Sequence, residues 1–446
     1  MARKYHFPEL PVLLGMEGAL RNHGQGRIAD DVVFVCVQHL LRSTGSLLET
    51  LVRLGANPAN IFVLGKLYSS NDQVFRQLRH LGLNVRDSAI PRRWEEFSHR
   101  FDSDVQQLWI EVSRHVQRVK PRAIVVVDDG GHCITRIPTK LIRAFQVVGV
   151  EQTTSGLRLF RRKPSVPVVS VASAAVKKHV EAPLVAETVI RRLEALRPKF
   201  VEQSDFGVVG LGNIGRAVAA DLIRLGKNVF VFDHDPVAQR ATKGTVGCTS
   251  LRQLIEYSDV VLGCTGTDLP VRTILRRWCR GEKLLVSCSS ENCEFRSLIR
   301  DYYVYNEEAF SVYDADIPVK YGSCEVRVLC GGFPINFDHS PQSVPDDDIQ
   351  VTRALLLGAI IQSLLCHSTA GLYRLDATLQ QRITALWFHY CPWRAATYDA
   401  ALRSHLDDPA WIESESEGTA ANCDKVNLLF RSSVDPDRDH AVRAAM

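Results

Sequence analysis

Short continuous apolar runs alternate with amphipathic segments over about the first 130 residues of the chain. Residues 31–37 and 60–65 are typical of strands buried on both faces, whereas residues 46–54 and 72–80 have the spacing of amphipathic helices. Strands that alternate with helices predict a doubly wound parallel sheet, which binds ligands at the carboxyl ends of its strands. The strand predicted at 122–129 ends in two carboxylates, which we therefore expect at a ligand-binding edge.

A second alternating unit begins near residue 206, after a long helical stretch at 183–196. The segment 328–337 closes this unit, and an apolar helix at 346–366 is long enough to return to the first unit. The pattern predicts an α/β fold with two doubly wound parallel-sheet domains. The expected division of the chain is a substrate-type domain at 1–185 plus about 340–385, a second domain at 190–338, and a divergent, partly mobile C-terminal extension at 386–446.

A glycine-rich turn opens the second unit, and its sequence is Gly210-Leu211-Gly212-Asn213-Ile214-Gly215. It lies between a predicted strand and a predicted helix, where glycines permit a tight turn, close approach of a pyrophosphate and close helix packing. The helix N-terminus offers unpaired N–H groups to the phosphates. Asp233 stands at the tip of the next strand, where it can bind a ribose and repel a 2′-phosphate. The second domain is therefore predicted to be a Rossmann domain that binds NAD rather than NADP.

Composition and charge exclude several classes of protein. The chain has 446 residues, 46% of them hydrophobic, and a formal net charge of +4, which gives no reason to expect a nucleic-acid or membrane partner. The twelve cysteines show no CxxC pair, so we expect reduced, mostly buried thiols and no metal site. The N-terminus lacks the apolar core of a signal peptide, and the apolar run at 355–366 falls short of a membrane span. We expect a cytoplasmic protein.

Several further motifs occur in the order found in one enzyme family. From about Val32 to Cys366, the chain resembles the S-adenosylhomocysteine hydrolase family. One motif that carries this resemblance is the glycine turn together with Asp233-His-Asp-Pro236. The others are Val35-Cys-Val-Gln-His39, Leu48 to Ala56, Asp128-Asp-Gly-Gly131, Glu151-Gln-Thr-Thr-Ser-Gly156, Val171 to Glu181, Cys264-Thr-Gly266 and Pro334-Ile-Asn336.

The resemblance implies a permanently bound NAD that oxidises a ribose hydroxyl of the ligand, and a place in one-carbon metabolism. It implies that Lys177 is the general base and that Glu181 orients it, with Asp129 and His39 at the substrate. The cofactor-binding residues implied by the resemblance and the glycine turn are Thr153, Thr154, Ser155, Gly210, Gly212, Asn213, Ile214, Gly215, Asp233, Thr265, Gly266 and Asn336.

The chain departs from the family pattern in the groups that handle the substrate. Gln152 stands where a glutamate is expected, Ser290 where a catalytic histidine is expected, and Leu41 and Ser43 replace groups that contact adenine. Loss of a positioned proton-transfer group typically slows a reaction by ~10²–10⁴-fold. The sequence therefore predicts poor hydrolysis of S-adenosylhomocysteine.

Three hypotheses follow, all with a small-molecule substrate or ligand and a homo-oligomeric protein. The first is an NAD-dependent enzyme that oxidises a hydroxyl of a nucleoside-like or other small substrate. The second is a non-catalytic NAD-binding regulator, and the third is residual S-adenosylhomocysteine hydrolysis. A D-2-hydroxyacid dehydrogenase has a comparable two-domain plan, but it is expected to carry an arginine after the strand at 284–286. Residues 287–292 supply none, which disfavours that class.

Overall fold

Fourteen strands form two seven-stranded sheets in the part of the chain that the computed structural model describes, which is residues 6–91, 95–160, 163–305, 315–366, 368–406 and 424–430. The strands, in chain order, are β1 Val32–Gln38, β2 Ile61–Gly65, β3 Asn84–Asp87, β4 Ala123–Asp128, β5 Gln146–Glu151, β6 Pro167–Ser170, β7 Phe206–Val209, β8 Val229–Phe232, β9 Val246–Gly247, β10 Val260–Gly263, β11 Gly281–Ser287, β12 Ile317–Tyr321, β13 Cys324–Val328 and β14 Gly371–Arg374.

The helices cover both faces of the sheets. In chain order they are α1 Pro11–Asn22, α2 Arg42–Arg53, α3 Asp72–His80, α4 Phe97–Val119, α5 Thr139–Ala144, α6 Thr154–Leu159, α7 Ala182–Leu196, α8 Pro198–Gln203, α9 Asn213–Arg224, α10 Pro236–Ala241, α11 Leu251–Tyr257, α12 Val271–Trp278, α13 Arg296–Tyr305, α14 Asp346–Cys366, α15 Ala377–Tyr390, α16 Pro392–Leu406 and α17 Asp424–Leu429.

The first sheet has the strand order β14-β6-β5-β4-β1-β2-β3, and all of its neighbouring strands are parallel. Every residue of β1 and β4 is buried, because helices pack on both faces. Successive residues of β1 alternate between two separate apolar clusters, Phe34 packing on one side with α2 and α14 and Val35 on the other with α4. This alternation explains the continuous apolar runs, since a strand covered on both faces has no polar side.

The second sheet has the order β12-β13-β11-β10-β7-β8-β9. Its strands are parallel except for β12, which pairs antiparallel with β13 at one edge. Helices again pack on both faces, with α7 and α9 on one side and α11 and α12 on the other. The predicted fold class, an α/β fold with two doubly wound parallel sheets and a Rossmann-like second unit, is confirmed.

The helix α14 crosses the core of the first unit. It is long and apolar enough to span a membrane by length and composition, with a mean hydropathy of 1.6, but 89% of that window is buried within the protein. It packs against α1, α2, α15 and the strands β5 and β6. Its apolar surface is therefore accounted for by contacts inside the chain.

The predicted division of the chain near residues 185–190 and 338–340 stays a prediction. Strand β14 and helix α14 come from after residue 340 and pack with the first sheet. Much of the predicted C-terminal extension at 386–446 lies outside the described residues. The described part is 386–406 and 424–430, which contains the end of α15, α16 and α17.

Candidate dinucleotide and substrate site

The glycine turn connects β7 to α9 at the carboxyl end of the second sheet. Gly210 has a φ of +89°, and a Cβ on Gly215 would lie 1.8 Å from the carbonyl oxygen of Gly210. A Cβ on Gly212, in contrast, would meet no heavy atom within 4 Å. Gly210 is thus required for the backbone conformation and Gly215 for helix packing, while Gly212 faces open space that a pyrophosphate can enter.

The helix α9 begins at Asn213, and Gly212 at its N-cap provides no side-chain hydrogen bond. The first-turn N–H groups, which include those of Asn213 and Ile214, are therefore available to a phosphate. At the end of β8, Asp233 Oδ2 accepts from the Leu211 N–H at 2.5 Å and Oδ1 accepts from the Asp235 N–H at 2.9 Å. These bonds hold a carboxylate beside the turn, and the arrangement fits NAD.

Residues from both sheets meet beside the glycine turn. Arg158 of α6 donates a hydrogen bond from Nη1 to the Thr265 carbonyl oxygen at 2.9 Å, and a Cβ on Gly210 would contact Thr265 at 2.8 Å. Glu294 accepts from Thr265 Oγ1 at 2.8 Å and from the Gly266 N–H at 2.7 Å, which orders this loop. Arg158 was not identified from the sequence, because its partner lies 107 positions away.

The predicted cofactor residues at 153–155 form the start of α6. Thr153 caps this helix by accepting from the Gly156 N–H at 3.0 Å, and Ser155 Oγ donates to Thr153 Oγ1 at 3.1 Å. Thr154 is the first residue of the helix. On the other side of the site, Asn336 is nearly buried and follows Ile335, whose N–H donates to the Ser287 carbonyl oxygen at 3.1 Å. The structure thus links α6, which begins with these residues, to the Thr265 loop through Arg158, and places Ile335, next to Asn336, at the end of β11.

Asp129 is the centre of a buried polar cluster after β4. Lys66 Nζ lies 2.5 Å from Asp129 Oδ1, and His39 Nε2 lies 3.4 Å from Oδ2. Gln152 also donates from its amide to Oδ2. Lys66 immediately follows β2, and it was not identified from the sequence because only the pairing of β2 and β4 with β1 brings it to Asp129.

The charges of this cluster are set by the balance of burial and pairing. Burial alone would lower the pKa of Lys66 and raise that of Asp129, but their mutual attraction reverses both effects, so both groups are held in their charged forms. Burial lowers the pKa of His39 to about 3, although Asp129 opposes this shift. The imidazole of His39, which stacks on Phe337 with ring centroids 4.4 Å apart, is therefore neutral at neutral pH.

The predicted pair of Lys177 and Glu181 lies in a π-helical turn that leads into α7. The two side chains form an ion pair, and Thr352 Oγ1 of α14 donates to Glu181 Oε2 at 2.8 Å. Both side chains remain partly accessible, with 14% of Lys177 and 20% of Glu181 exposed. The charge of Lys177 also acts to lower the pKa of both His39 and Asp129.

An imidazole bridges the two sheets at the edge of this site. His132, after β4, contacts Asp102 of α4 through Nδ1 at 3.0 Å and Glu291, after β11, through Nε2 at 2.8 Å. Although burial would lower the pKa of His132, these two carboxylates raise it to about 9. His132 is therefore a cation at neutral pH. Glu291, which contacts Nε2, directly follows Ser290. The family resemblance predicts a histidine at position 290.

Several of the buried polar atoms that lack a hydrogen-bond partner in the described residues lie near the carboxyl ends of the first sheet's strands. These are Gln38 Oε1 and Nε2, Thr44 Oγ1, Asp128 Oδ1, Glu151 Oε2 and Gln152 Oε1, and others lie elsewhere in the protein. Each such atom costs about 1–3 kcal/mol when it stays unpaired. The atoms at this edge are available to a polar ligand.

Gly131, in the loop after β4, allows close packing between two loops. A Cβ on Gly131 would lie 2.9 Å from the Gly156 backbone, and a Cβ on Gly156 would lie 2.3 Å from the Glu151 carboxyl group. The two loops thus pack backbone to backbone, which brings the Asp129 loop against the start of α6.

Within the described residues, no group of three or more His, Cys, Asp or Glu side chains could hold a metal ion, and the eleven cysteines among them are free thiols. A surface cavity of about 650 Å³ is lined by Gln117, Lys120, Pro121, Lys140, Leu141, Ala144 and Phe145. It lies at the amino ends of β4 and β5, opposite the edge that carries the ionised groups.

The fold and the glycine turn define an NAD-binding α/β protein with two parallel sheets. Residues 174–270 match the family model for the D-isomer specific 2-hydroxyacid dehydrogenase, NAD binding domain. Residues 174–270 are therefore similar to the NAD-binding domain of 2-hydroxyacid dehydrogenases, and the cofactor is NAD(H).

Two uncharacterised proteins from two strains of Mycobacterium tuberculosis are each 30% identical to the chain over 342 residues, which is 76% of this chain. The chain spans 65% of the length of these curated relatives.

Among solved structures, the chain is similar to the pyruvate reductase of Chlamydomonas reinhardtii, with 12% identity, a TM-score of 0.37, and coverage of 76% of this chain and 98% of that one. It is also similar to a 2-hydroxyacid dehydrogenase from Ketogulonicigenium vulgare, with 14% identity, a TM-score of 0.34, and coverage of 74% and 94%.

The resemblance to the S-adenosylhomocysteine hydrolase family is wrong, because the matching family model is that of the 2-hydroxyacid dehydrogenases. Hydrolase activity and a role in one-carbon metabolism lose their support with it. The physical reason for the error is that a glycine turn with an acidic residue after the next strand binds a dinucleotide. Enzymes that catalyse many different reactions share this turn, so it does not identify one reaction. The lack of an arginine at 287–292 does not exclude a domain of the D-2-hydroxyacid dehydrogenase type. The matching family model describes the dinucleotide fold and not the substrate contacts.

Proposed function

We propose that the protein is an NAD-dependent oxidoreductase that acts on the hydroxyl group of a small hydroxyacid. The family model supports a dehydrogenase of this class. The observation that carries the proposal is the buried polar cluster of His39, Asp129 and Lys66 directly after β1, β4 and β2. The Lys177–Glu181 pair follows β6, and the charge of Lys177 acts on both His39 and Asp129. NAD, when bound, supplies the acceptor for a hydride from the substrate carbon.

In this proposal the unprotonated amine of Lys177 contacts the reacting hydroxyl group and takes up its proton. Glu181 positions the Lys177 amine, and Thr352 in turn fixes Glu181 by donating to Oε2 at 2.8 Å. His39 presents a neutral imidazole, whose Nδ1 lies 2.5 Å from Ser69 Oγ. The ring orients the substrate. The charge of Lys66 balances that of the Asp129 carboxylate, which holds the imidazole in place.

The cofactor residues act by binding and orientation. The proposal assigns the pyrophosphate to the first turn of α9 and the adenosine ribose to Asp233. Thr153, Thr154, Ser155, Thr265, Gly266 and Asn336 line the remaining part of the cofactor site in this proposal. Arg158 of α6 links the segment at 153–155 to the loop at 265–266 through its hydrogen bond to the Thr265 carbonyl oxygen at 2.9 Å.

The test is an assay of NADH formation. Purified protein loaded with NAD receives a panel of 2-hydroxy acids, and NADH is followed by its absorbance. We expect substrate-dependent NADH that is lost in Lys177→Ala and retained in Arg76→Gln, a matched change of an exposed residue on α3. NAD binding without NADH formation from any member would contradict the proposal and favour a non-catalytic NAD-binding regulator.

The proposal keeps two expectations from the sequence, a homo-oligomeric state and a cytoplasmic location. Sedimentation velocity of the purified protein tests the first, since a single monomeric species at micromolar concentration would contradict it. Fractionation of cells that express the chain tests the second.

A further inference from the structure

Asp128 and Glu151 are acidic side chains at the ends of neighbouring parallel strands, and the proposed function uses neither of them. The register of β4 and β5 pairs the two residues directly. Ile124 and Val126 of β4 and Val147 of β5 pack in one apolar cluster, so the alternation of side chains places both carboxyl groups on that same face. Both residues are fully buried. Two carboxyl groups therefore lie side by side in the interior.

One oxygen of each carboxyl group holds a loop of the site. Asp128 Oδ2 accepts from the N–H groups of Cys133 at 2.7 Å and Ile134 at 2.8 Å. Glu151 Oε1 accepts from the N–H of Thr153 at 2.8 Å. The first two bonds shape the loop after β4, and the third shapes the turn that leads from β5 into α6.

The other oxygen of each carboxyl group is buried and has no hydrogen-bond partner among the described residues. These oxygens are Asp128 Oδ1 and Glu151 Oε2. Two ionised carboxylates cannot satisfy each other, because a carboxylate only accepts hydrogen bonds and like charges repel strongly in a low-dielectric interior. A single proton between the two oxygens supplies one donor and one acceptor, and it removes one of the two charges. Hydrogen bonds of this O–H···O⁻ type are short and strong.

The charges around the pair favour one negative charge rather than two. Lys66 and His132 act to lower the pKa of Asp128, but each is already ion-paired with carboxylates of its own. Burial nevertheless raises the pKa of Asp128. Burial, with the charges of Asp128 and Asp129, raises the pKa of Glu151 well above its usual range. The nearby thiols add no charge, since burial raises their pKa values too; they are those of Cys36 and Cys133.

We propose that Asp128 and Glu151 share one proton and act as a single hydrogen-bonded unit that positions Asp129 in the site. Asp129 lies between Asp128 and the loop that Asp128 holds. Gln152, next to Glu151, donates from its amide to Asp129 Oδ2, and Glu151 Oε1 also accepts from the Gly130 N–H at 3.2 Å. The shared proton thus links the two loops that flank Asp129. The positioning role rests on the proposed function, whereas the shared proton does not.

Amide substitutions distinguish a shared proton from two independent carboxyl groups. In Glu151→Gln the amide oxygen can keep the bonds to the loop while the NH2 group donates to Asp128 Oδ1, and in Asp128→Asn the two roles are exchanged. Each single variant thus keeps one donor and one acceptor. In the double variant two NH2 groups meet, and neither finds an acceptor. We expect both single variants to unfold near the native temperature and the double variant several degrees below either, a non-additive result.

Hydrogen exchange followed by mass spectrometry shows whether the effect is confined to the two loops. The amides at 130–134 and 152–156 should exchange roughly 10- to 100-fold faster in the double variant than in the native protein, because the loops lose a charge-assisted hydrogen bond between them. Their exchange in the single variants should stay close to native.

Infrared difference spectra locate the proton itself. An un-ionised carboxyl group gives a C=O stretching band that a carboxylate lacks, and exposed acidic residues are ionised at mildly alkaline pH. We expect the native protein to show a band that is lost in Glu151→Gln and in Asp128→Asn alike, because an amide replaces the proton in both. Glu202→Gln, a matched change of an exposed residue on α8, should retain it. A band that persists in Asp128→Asn would assign the proton to Glu151 alone and overturn the inference.

The assay of NADH formation tests the positioning role. The single variants should form NADH at close to the native rate and the double variant roughly 10- to 100-fold more slowly, since a small displacement of a positioned group is costly. An unchanged rate in the double variant would overturn this role. Absence of NADH from the native protein would contradict only the proposed function, because unfolding, exchange and the infrared band still test the shared proton. A double variant as stable as the single ones, a single variant that does not fold, or a native protein without the band would overturn the shared proton.

Discussion

At the scale of single residues, the site depends on which charges are paired. Asp129 and Lys66 hold each other in their charged forms, and His39 is kept neutral by burial. Asp233 is different, because its carboxylate lies at a partly exposed strand end, where, within the described residues, it accepts from two backbone N–H groups. It can therefore exchange or share these bonds with a ribose hydroxyl at little cost.

Asp233→Ala should weaken NAD binding roughly 10- to 100-fold and reduce the preference over NADP. The reason is that the variant loses a charge-assisted hydrogen bond to the ribose, worth about 1.5–3 kcal/mol, together with the repulsion of a 2′-phosphate. Calorimetric titration with both cofactors measures the two effects. Equal affinity of the native protein for NAD and NADP would show that Asp233 does not discriminate.

Lys177→Ala should reduce substrate-dependent NADH formation by ~10²–10⁴-fold, which is the usual contribution of a positioned proton-transfer group. The affinity for NAD should remain within a few-fold, because the ion pair of Lys177 is with Glu181 and not with the glycine turn. Single-turnover kinetics and NAD titration give the two numbers. An unchanged rate would remove Lys177 from the reaction.

At the scale of elements, the glycines of the β7–α9 turn have two separate roles, which are helix packing and room for the cofactor. Gly215 allows the helix to pack on the turn, whereas Gly212 leaves room beside it. A pair of alanine substitutions therefore distinguishes folding from cofactor binding.

Gly215→Ala should lower the free energy of unfolding by about 1–3 kcal/mol, since its Cβ would overlap the Gly210 carbonyl oxygen at 1.8 Å. Gly212→Ala should leave stability nearly unchanged, because its φ of −67° suits alanine and no heavy atom lies within 4 Å. Its added methyl group should nevertheless impair NAD binding. Urea denaturation without NAD, followed by NAD titration, checks both. A destabilised Gly212→Ala protein would contradict the assignment.

At the scale of the whole molecule, His132 links the two sheets through Asp102 and Glu291. Its pKa is raised from 6.5 to about 9 in the folded protein, so the bridge stabilises the fold fully below pH 6.5. This stabilisation decreases as the pH rises and is lost as it passes about 9. The carboxylates have lowered pKa values and stay charged over this range.

The difference in unfolding free energy between the native protein and His132→Asn should therefore shrink as the pH is raised from 6.5 to above 9. The contribution of the bridge is on the order of 2–3 kcal/mol at its largest. Denaturation of both proteins at a series of pH values gives the difference directly, and it cancels other groups that titrate in the same range. A difference that does not vary with pH would exclude an ionic bridge.

Much of the architecture could be predicted from the chain because it depends on local patterns. The bounds of α3 and α14 agree with the predicted segments at 72–80 and 346–366, and those of β1 and β2 differ from the prediction by one residue. Each of these elements has a clear apolar pattern or a clear turn at its ends. The helix α1 and the strand β14 were missed. Helix α1 has twelve residues with Pro11 at its first position, and it packs on α14. Strand β14 has only four residues, and its pairing with β6 stabilises it.

The sequence by itself determined the two alternating units, the NAD turn and its acidic partner, since glycine conformation and strand burial are properties of a few adjacent residues. It did not determine the family, because the same turn serves many dinucleotide enzymes. Only the tertiary structure brought Lys66 to Asp129 across 63 positions and Arg353 to Ser43 across 310 positions. Such contacts depend on strand order and helix packing, and no local pattern encodes which distant charges meet in the same low-dielectric interior.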